Sequence, residues 1–481
     1  MRFSSFRWFF LKHLVFVLLA LFLLPGLTLG VSQHVLHKME RSIILEDGVR
    51  RETLSLRAFC ARNNPVLKEA RASVCPKHLE QFFLVRAVAL GVLTGGVILL
   101  GVISLLGFLA FLSRAQRLFS LAAGRALMIL SGLATVLLQG SMLVWLIYWI
   151  PRIFWNAKTH NAHLIGVTSL SIVAGAVLVV RALFRSPERE MEIEGEQIPE
   201  TAAPHLWKRI RQMAARLKTK PPDHLIAGID SNFFVTETPL VVKGIRLYGR
   251  KLFVSLPLLR QMHTTEADAI LAHELAHFSG GDTQDSALLH PRLAHYDAYL
   301  EAIYEDGVAG RLVYPFMVFF RLIFELALSR ESRESERRAD RLAARLTSPL
   351  AVSRALLKVT AYATYRDDTE TALFESRARL TGNIGLSGRV ARGLATWARS
   401  PGFSDAIAAA HDPHPFDSHP SFGERMTNVR HIIPENEFAE IVASLPNHTW
   451  LEGIDGADAL EQKLWSDYER RFAEAHEESL A

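Results

Sequence analysis

Four stretches of the chain carry no Asp, Glu, Lys or Arg: Leu14 to Val31, Ala87 to Leu112, Ala126 to Ile150 and Leu164 to Val180. Each is about 17 to 26 residues long, enough to cross a hydrocarbon core of about 30 Å as a helix. Four such runs in succession do not occur in a soluble core, and they predict a bundle of about four transmembrane helices over residues 1–185. Past residue 185 the pattern becomes amphipathic. A helix is expected from about Ala203 to Leu217, with Trp207, Ile210, Met213 and Leu217 on one face. Strands are expected at His224 to Ile229 and Leu252 to Val254, and Phe233 and Phe234 between them read as core first and as a wall for a ligand second. The polar run 186–202, with alternating glutamates from Glu188 to Glu196, reads as a linker, 203–440 as a water-soluble domain and 441–481 as a helical extension.

Composition sharpens this division. Hydrophobic residues make up 49% of the 481 and charged residues 21%, fewer charges than the quarter or so found in an ordinary soluble domain. The formal charge of +5 is small and dispersed, which excludes the basic stripe of a nucleic-acid binder. Cys60 and Cys75 both fall between the first two apolar runs and are a disulfide candidate in an oxidising compartment. Arg114, Arg117 and Arg125 fill the connection 113–125 with no acidic partner, and Arg181, Arg185 and Arg189 follow the fourth run. The positive-inside rule then puts the amino terminus, that connection and everything after residue 181 in the cytoplasm, and the loop 32–84 outside. That loop's nine Lys and Arg against six Asp and Glu point the other way, but a loop of this length is only weakly bound by the rule. The first run follows Arg2, Arg7 and Lys12 and has Pro25-Gly26 near its end, so it reads either as a membrane helix or as a cleaved signal peptide. Gly91, Gly95, Gly96, Gly101 and Gly107 in the second run suit close helix packing.

The chemistry lies in Thr264-T-E-A-D-A-I-L-A-H-E-L-A-H-F-S-G-G-D282. Thr264 or Thr265 can cap a helix that Gly280-Gly281 ends. His273 and His277, four residues apart, then stand one 5.4 Å turn apart on the same face, as two imidazoles need to share one tetrahedral Zn²⁺. Glu274 projects beside them, where its carboxylate reaches a water on the metal without binding the metal itself. A third ligand is expected from Ser332-R-E-S-E-R-R-A-D340. There Glu336 can bind the ion while Asp340, one turn later, orients a ligand histidine through its other ring N–H. Glu331 and Glu334 read as a solvated face.

These motifs, with His419-Pro420 ahead of Arg425, resemble the integral-membrane zinc metallopeptidases that include HtpX and the CAAX prenyl protease, over roughly residues 190 to 430. The resemblance implies a gluzincin-type zinc metallopeptidase domain, mainly α with a small β-sheet. It implies one Zn²⁺ per chain on His273, His277 and Glu336, with Glu274 as general base and acid and Asp340 behind the ligands. It also implies that His419 stabilises the oxyanion and that Arg425 supports the site. His411 and His414 read as surface residues. HtpX-like chains carry a transmembrane hairpin between the two zinc motifs, whereas here only Val313 to Leu328 stands out, interrupted by Arg321 and Glu325. A single crossing would put Glu336 on the wrong side of the membrane from His273, and about 16 residues cannot cross twice. That segment is therefore expected to lie on the membrane surface or within the domain as an amphipathic helix.

The expected function is a membrane-bound zinc metalloendopeptidase of a bacterial inner membrane, its catalytic domain facing the cytoplasm. Its partners would be the lipid bilayer and a peptide or protein substrate that is itself membrane-associated, with quality control as the task. The alternatives are processing of one lipidated or membrane-tethered peptide, and a non-proteolytic scaffold with a structural zinc site.

Overall fold

A computed structural model describes residues 3–46, 60, 79–155, 161–185, 191–305, 308–375, 385–409 and 419–480. The chain divides into two compact units, one made of Phe3–Ser186 and Leu293–Phe324, the other of Pro187–Arg292 and Glu325–Ala481.

The first unit is helical, with α1 (Phe3–Glu46), α2 (Leu79–Ala110), α3 (Arg114–Trp155) and α4 (Ala162–Ala182). All four are long and apolar enough to cross a membrane. The helix α3 starts a dozen residues ahead of its apolar run, so Arg114, Arg117 and Arg125 ride on its first turns rather than on a loop. The physical reason is local: Ser113 Oγ accepts from the Gln116 N–H at 3.3 Å and caps the helix. Among the five glycines expected to pack closely, a Cβ on Gly96 would press on Phe22 and one on Gly107 would overlap Ile323, while Gly91, Gly95 and Gly101 have nothing within 4 Å. They lie on a face of α2 that the described residues do not cover. Cys60 is disulfide-bonded and packs with Phe83, Trp145 and Trp149 around Leu79 and Phe82; Cys75 lies outside the described residues.

The second unit opens with β1 (Glu196–Gln197), α5 (Pro204–Arg216), β2 (His224–Gly228), β3 (Phe234–Thr236), β4 (Leu240–Val242), β5 (Ile245–Leu247), β6 (Lys251–Ser255) and α6 (Leu256–Gln261). The sheet has the order β1-β2-β6-β3, with β2 and β6 parallel and the outer strands antiparallel to their neighbours. Both central strands are buried along nearly their whole length and apolar in their middles, as a sheet covered on both faces requires. Phe233 is buried and Phe234 stacks on Phe253 with centroids 4.8 Å apart, so both belong to the core. Glu196 and Gln197, expected in a linker, pair with Ala227 and Ile226.

Next comes α7 (Thr264–Gly280), which carries both histidines. Its first turn is held by Glu266, whose carboxylate accepts from the His263 N–H at 2.9 Å, and the threonines do not cap it. Then α8 (Asp282–Glu305) starts in the second unit and enters the first at Leu293, and α9 (Val308–Leu346) returns, joining the second unit from Glu325. Within the first unit the two legs bind each other: the Tyr296 hydroxyl donates to Met317 O at 2.9 Å, and Arg321 Nε donates to Asp297 Oδ1 at 2.9 Å. Val313, Phe316, Met317, Phe320 and Phe324 are buried, and a Cβ on Gly124 or Gly132 of α3 would overlap Phe320 or Val313. Val313 to Phe324 is thus the returning leg of a hairpin packed within the first unit and not within the second. Periodicity concealed this because the other leg, from Leu293, is half polar and its Asp297 neutralises Arg321 only in three dimensions.

The remaining helices are α10 (Pro349–Phe374), α11 (Leu386–Ala398), α12 (Phe403–Ala409), α13 (Phe422–Asn428), α14 (Glu435–Ala443) and α15 (Ala457–Leu480). Lys358 of α10 is buried and its ammonium donates to Glu266 Oε2 at 2.9 Å, to Gln261 O at 2.8 Å and to Ser444 O at 3.3 Å. One cation therefore ties α10 to the first turn of the histidine helix. Removing it leaves the Glu266 carboxylate buried without its counter-charge, which costs about 3–5 kcal/mol. Lys358→Met is expected to lower the unfolding midpoint of the detergent-solubilised chain sharply, and adding Glu266→Gln should recover much of the loss. A single variant as stable as the parent would show that the pair contributes nothing.

Candidate metal centre

The centre sits in the second unit, where α7 and α9 face each other. Nε2 of His273 and Nε2 of His277 are 3.3 Å apart, and Glu336 brings Oε2 to 3.4 Å from the first and Oε1 to 3.3 Å from the second. Donor atoms at metal–nitrogen distances of about 2.05 Å on a tetrahedron lie ~3.3 Å apart. The three separations fit such an ion. All three residues offer atoms within 4.8 Å of one another, and Glu336 Oε2 is buried with no hydrogen-bond partner among the described residues. Glu274 is also buried, on the same turn as His273.

Each imidazole is held from behind. His273 Nδ1 lies 2.9 Å from Asp340 Oδ1, and Asp340 is itself forked by Arg425, through Nε to Oδ2 at 3.0 Å and Nη2 to Oδ1 at 2.7 Å. Arg425 arrives on the first turn of α13, which Ser421 and Glu424 start with a reciprocal capping box. On the other side, His277 Nδ1 is 3.2 Å from Asp282 Oδ2 and 3.2 Å from Ser335 Oγ. Asp282 also accepts from Ser335 and from Arg338. Asp282, Ser335 and Arg338 carry no signal in a helical repeat, because Asp282 lies beyond the glycines that end α7; only its position closing the histidine motif hints at it. His419 Nδ1 is 3.2 Å from Glu336 Oε2, with its side chain 57% exposed at the rim. His411 and His414 lie outside the described residues.

The electrostatics favour a cation among these groups. Burial opposes charge on His277, yet hydrogen bonds to Asp282 and Glu336 push it up to about 10. Burial likewise works to raise Glu336, but the Arg425 guanidinium and His273 hold it well below the usual carboxylate range. At Glu274 burial outweighs the neighbouring His273 and His277 and pushes the carboxyl up. Four carboxylates (Glu274, Glu336, Asp340, Asp282) face two guanidiniums (Arg425, Arg338), leaving a formal charge of minus two when all four are ionised and both imidazoles are neutral.

Two helix-borne histidines and a carboxylate on a facing helix, with a buried glutamate beside them, form a group that could hold a metal ion. Residues 200–433 match the model of peptidase family M48, in keeping with the resemblance to integral-membrane metallopeptidases that the motifs carry. The crystal structure of S. mikatae Ste24p is similar with a TM-score of 0.29 and 15% sequence identity, covering 86% of this chain and 98% of that one. No curated protein matches in sequence.

Arg425 is the keystone of the His273 side, and its fork cannot be copied by lysine. Arg425→Lys is expected to destabilise the chain by about 1–3 kcal/mol through the lost hydrogen bond, and Arg425→Met by about 3–5 kcal/mol because the buried Asp340 then loses its full-time counter-charge and keeps only His273. Thermal unfolding should rank the parent, the lysine form and the methionine form in that order; equal midpoints would remove Arg425 from this role.

Proposed function

We propose that His273, His277 and Glu336 hold one zinc ion and that the chain is an endopeptidase that cuts membrane or membrane-associated proteins in a quality-control role. The near-equal separations of the three donor atoms carry this reading, together with the match of residues 200–433 to a metallopeptidase family. Bound zinc supplies Lewis-acid polarisation of a peptide carbonyl and acidifies water to a pKa of about 7. Glu274 takes the proton of the attacking water and returns it to the leaving amine, a task suited to a carboxyl raised by burial. Asp340 keeps the Nδ1 proton of His273, so that Nε2 presents a lone pair. His419, at the exposed rim, donates to the negative charge that develops on the substrate oxygen. A structural metal has no need of a base such as Glu274 beside it.

The protease reading is tested by a panel assayed for metal content and cleavage of an unfolded protein substrate. Glu274→Gln should keep its zinc and lose turnover, and Glu336→Gln should lose most of its zinc. His419→Ala should keep zinc and substrate binding while kcat falls about 10²- to 10³-fold. Full cleavage by Glu274→Gln, or parental zinc content in Glu336→Gln, would overturn the assigned roles.

We also propose that the protein resides in a bacterial inner membrane with the second unit in the cytoplasm. The support is Arg114, Arg117 and Arg125 at the start of α3 and Arg181, Arg185 and Arg189 at and just beyond the end of α4, basic residues at those ends of the apolar runs that the positive-inside rule places in the cytoplasm. A protease-accessible tag placed after residue 481 should be cut only once the cytoplasmic side is opened; cutting from outside in intact cells would invert the topology.

A further inference from the structure

We propose that Asp282 is a positioning residue of the metal centre, holding the ring of His277 by its Nδ1–H while Ser335 and Arg338 hold the carboxylate. The inference rests on the zinc reading and extends it to residues that bind no metal. A ligand imidazole must offer a lone pair on the nitrogen facing the ion, so its proton must sit on the other nitrogen and find an acceptor there. In His277 the facing atom is Nε2, 3.3 Å from both His273 Nε2 and Glu336 Oε1. Its Nδ1 points away, 3.2 Å from Asp282 Oδ2 and 3.2 Å from Ser335 Oγ.

Asp282 is the acceptor on which the whole group converges. The Ser335 hydroxyl and Arg338 Nη2 both donate to the same Oδ2, so the serine proton is directed to the carboxylate. The backbone is shaped for this arrangement. Gly281 adopts the left-handed conformation with φ of 76°, which stops α7 and starts α8 at Asp282 next to the histidine one turn back. A Cβ on Gly280 would overlap the Arg338 guanidinium, so glycine leaves room for the clamp. The His273 side repeats the same plan with unrelated elements: an imidazole Nδ1, the Asp340 carboxylate and the Arg425 guanidinium. Both ligand histidines thus have a carboxylate anchored by an arginine, one from within α9 and one from the junction of α7 and α8.

The test uses the full chain in detergent and measures zinc affinity by chelator competition, with the visible absorption of the Co²⁺-substituted protein as a readout of ligand geometry. Asp282→Ala should bind zinc roughly 10- to 100-fold more weakly and alter the Co²⁺ spectrum, with helical content unchanged. Asp282→Asn, which keeps an acceptor but loses the charge that pairs with Arg338, should fall between the two. Gly280→Ala, which displaces the guanidinium but leaves the carboxylate, should weaken zinc several-fold. If Asp282→Ala does not fold, the asparagine and Gly280→Ala forms decide the matter. Zinc affinity within twofold of the parent and an unchanged Co²⁺ spectrum in the folded variants would overturn the proposal while leaving the zinc reading intact. A parent chain that takes up no zinc would instead overturn the zinc reading, and this inference with it.

Discussion

Glu336 has to reach two imidazoles on a different helix, and the chain between them is organised by that demand. The polypeptide leaves α7 at Gly281, enters the first unit on α8 and comes back on α9. An excursion that goes in and out again returns the carboxylate to the unit that holds the histidines. The hairpin inside the first unit is secured by a buried tyrosine hydroxyl, an arginine–aspartate pair and large apolar side chains seated over Gly107, Gly124 and Gly132. Such fits replace the hydrophobic drive that is absent between helices in lipid.

Charge balance is the second organising fact. Buried carboxylates are expensive unless they are paired. Here two are anchored by arginines from α9 and α13, and the excess negative charge that remains is the environment a divalent cation requires. The same balance explains why Glu274 differs from Glu336 although both are buried. Glu336 lies beside the Arg425 guanidinium, whereas burial dominates at Glu274, so one carboxyl is driven down and the other up. Two neighbouring buried carboxyls with opposed tendencies suit a division between holding a cation and moving a proton.

Much of this was open to reading along the chain. The four apolar runs, the strands around Ile226 and Phe253, and the helix ended by Gly280-Gly281 follow from local periodicity and turn chemistry. The spacing of His273 and His277 fixes their relative placement once a helix forms, because a turn is 5.4 Å whatever surrounds it. At the start of α3 the charge pattern suggests a loop, where Ser113 instead caps a helix by accepting from the Gln116 N–H. The hairpin leaves no local pattern, because its first leg has no apolar signature of its own and its charge at Arg321 is neutralised by a residue two dozen positions away.

By itself the sequence determined what is encoded within a turn or two: the helices, the histidine pair, the adjacent glutamate, and the spacing of Glu336 to Asp340. Only the tertiary structure decided which side chains meet across elements. It sets Arg425 on Asp340, Asp282 and Arg338 behind His277 and Lys358 under the first turn of α7, and it divides α9 so that part belongs to each unit. The physical reason is one of range. Helical geometry is dictated by neighbours three or four residues away, whereas a buried carboxylate takes whichever counter-charge the packing brings within about 3 Å, and no local pattern names it.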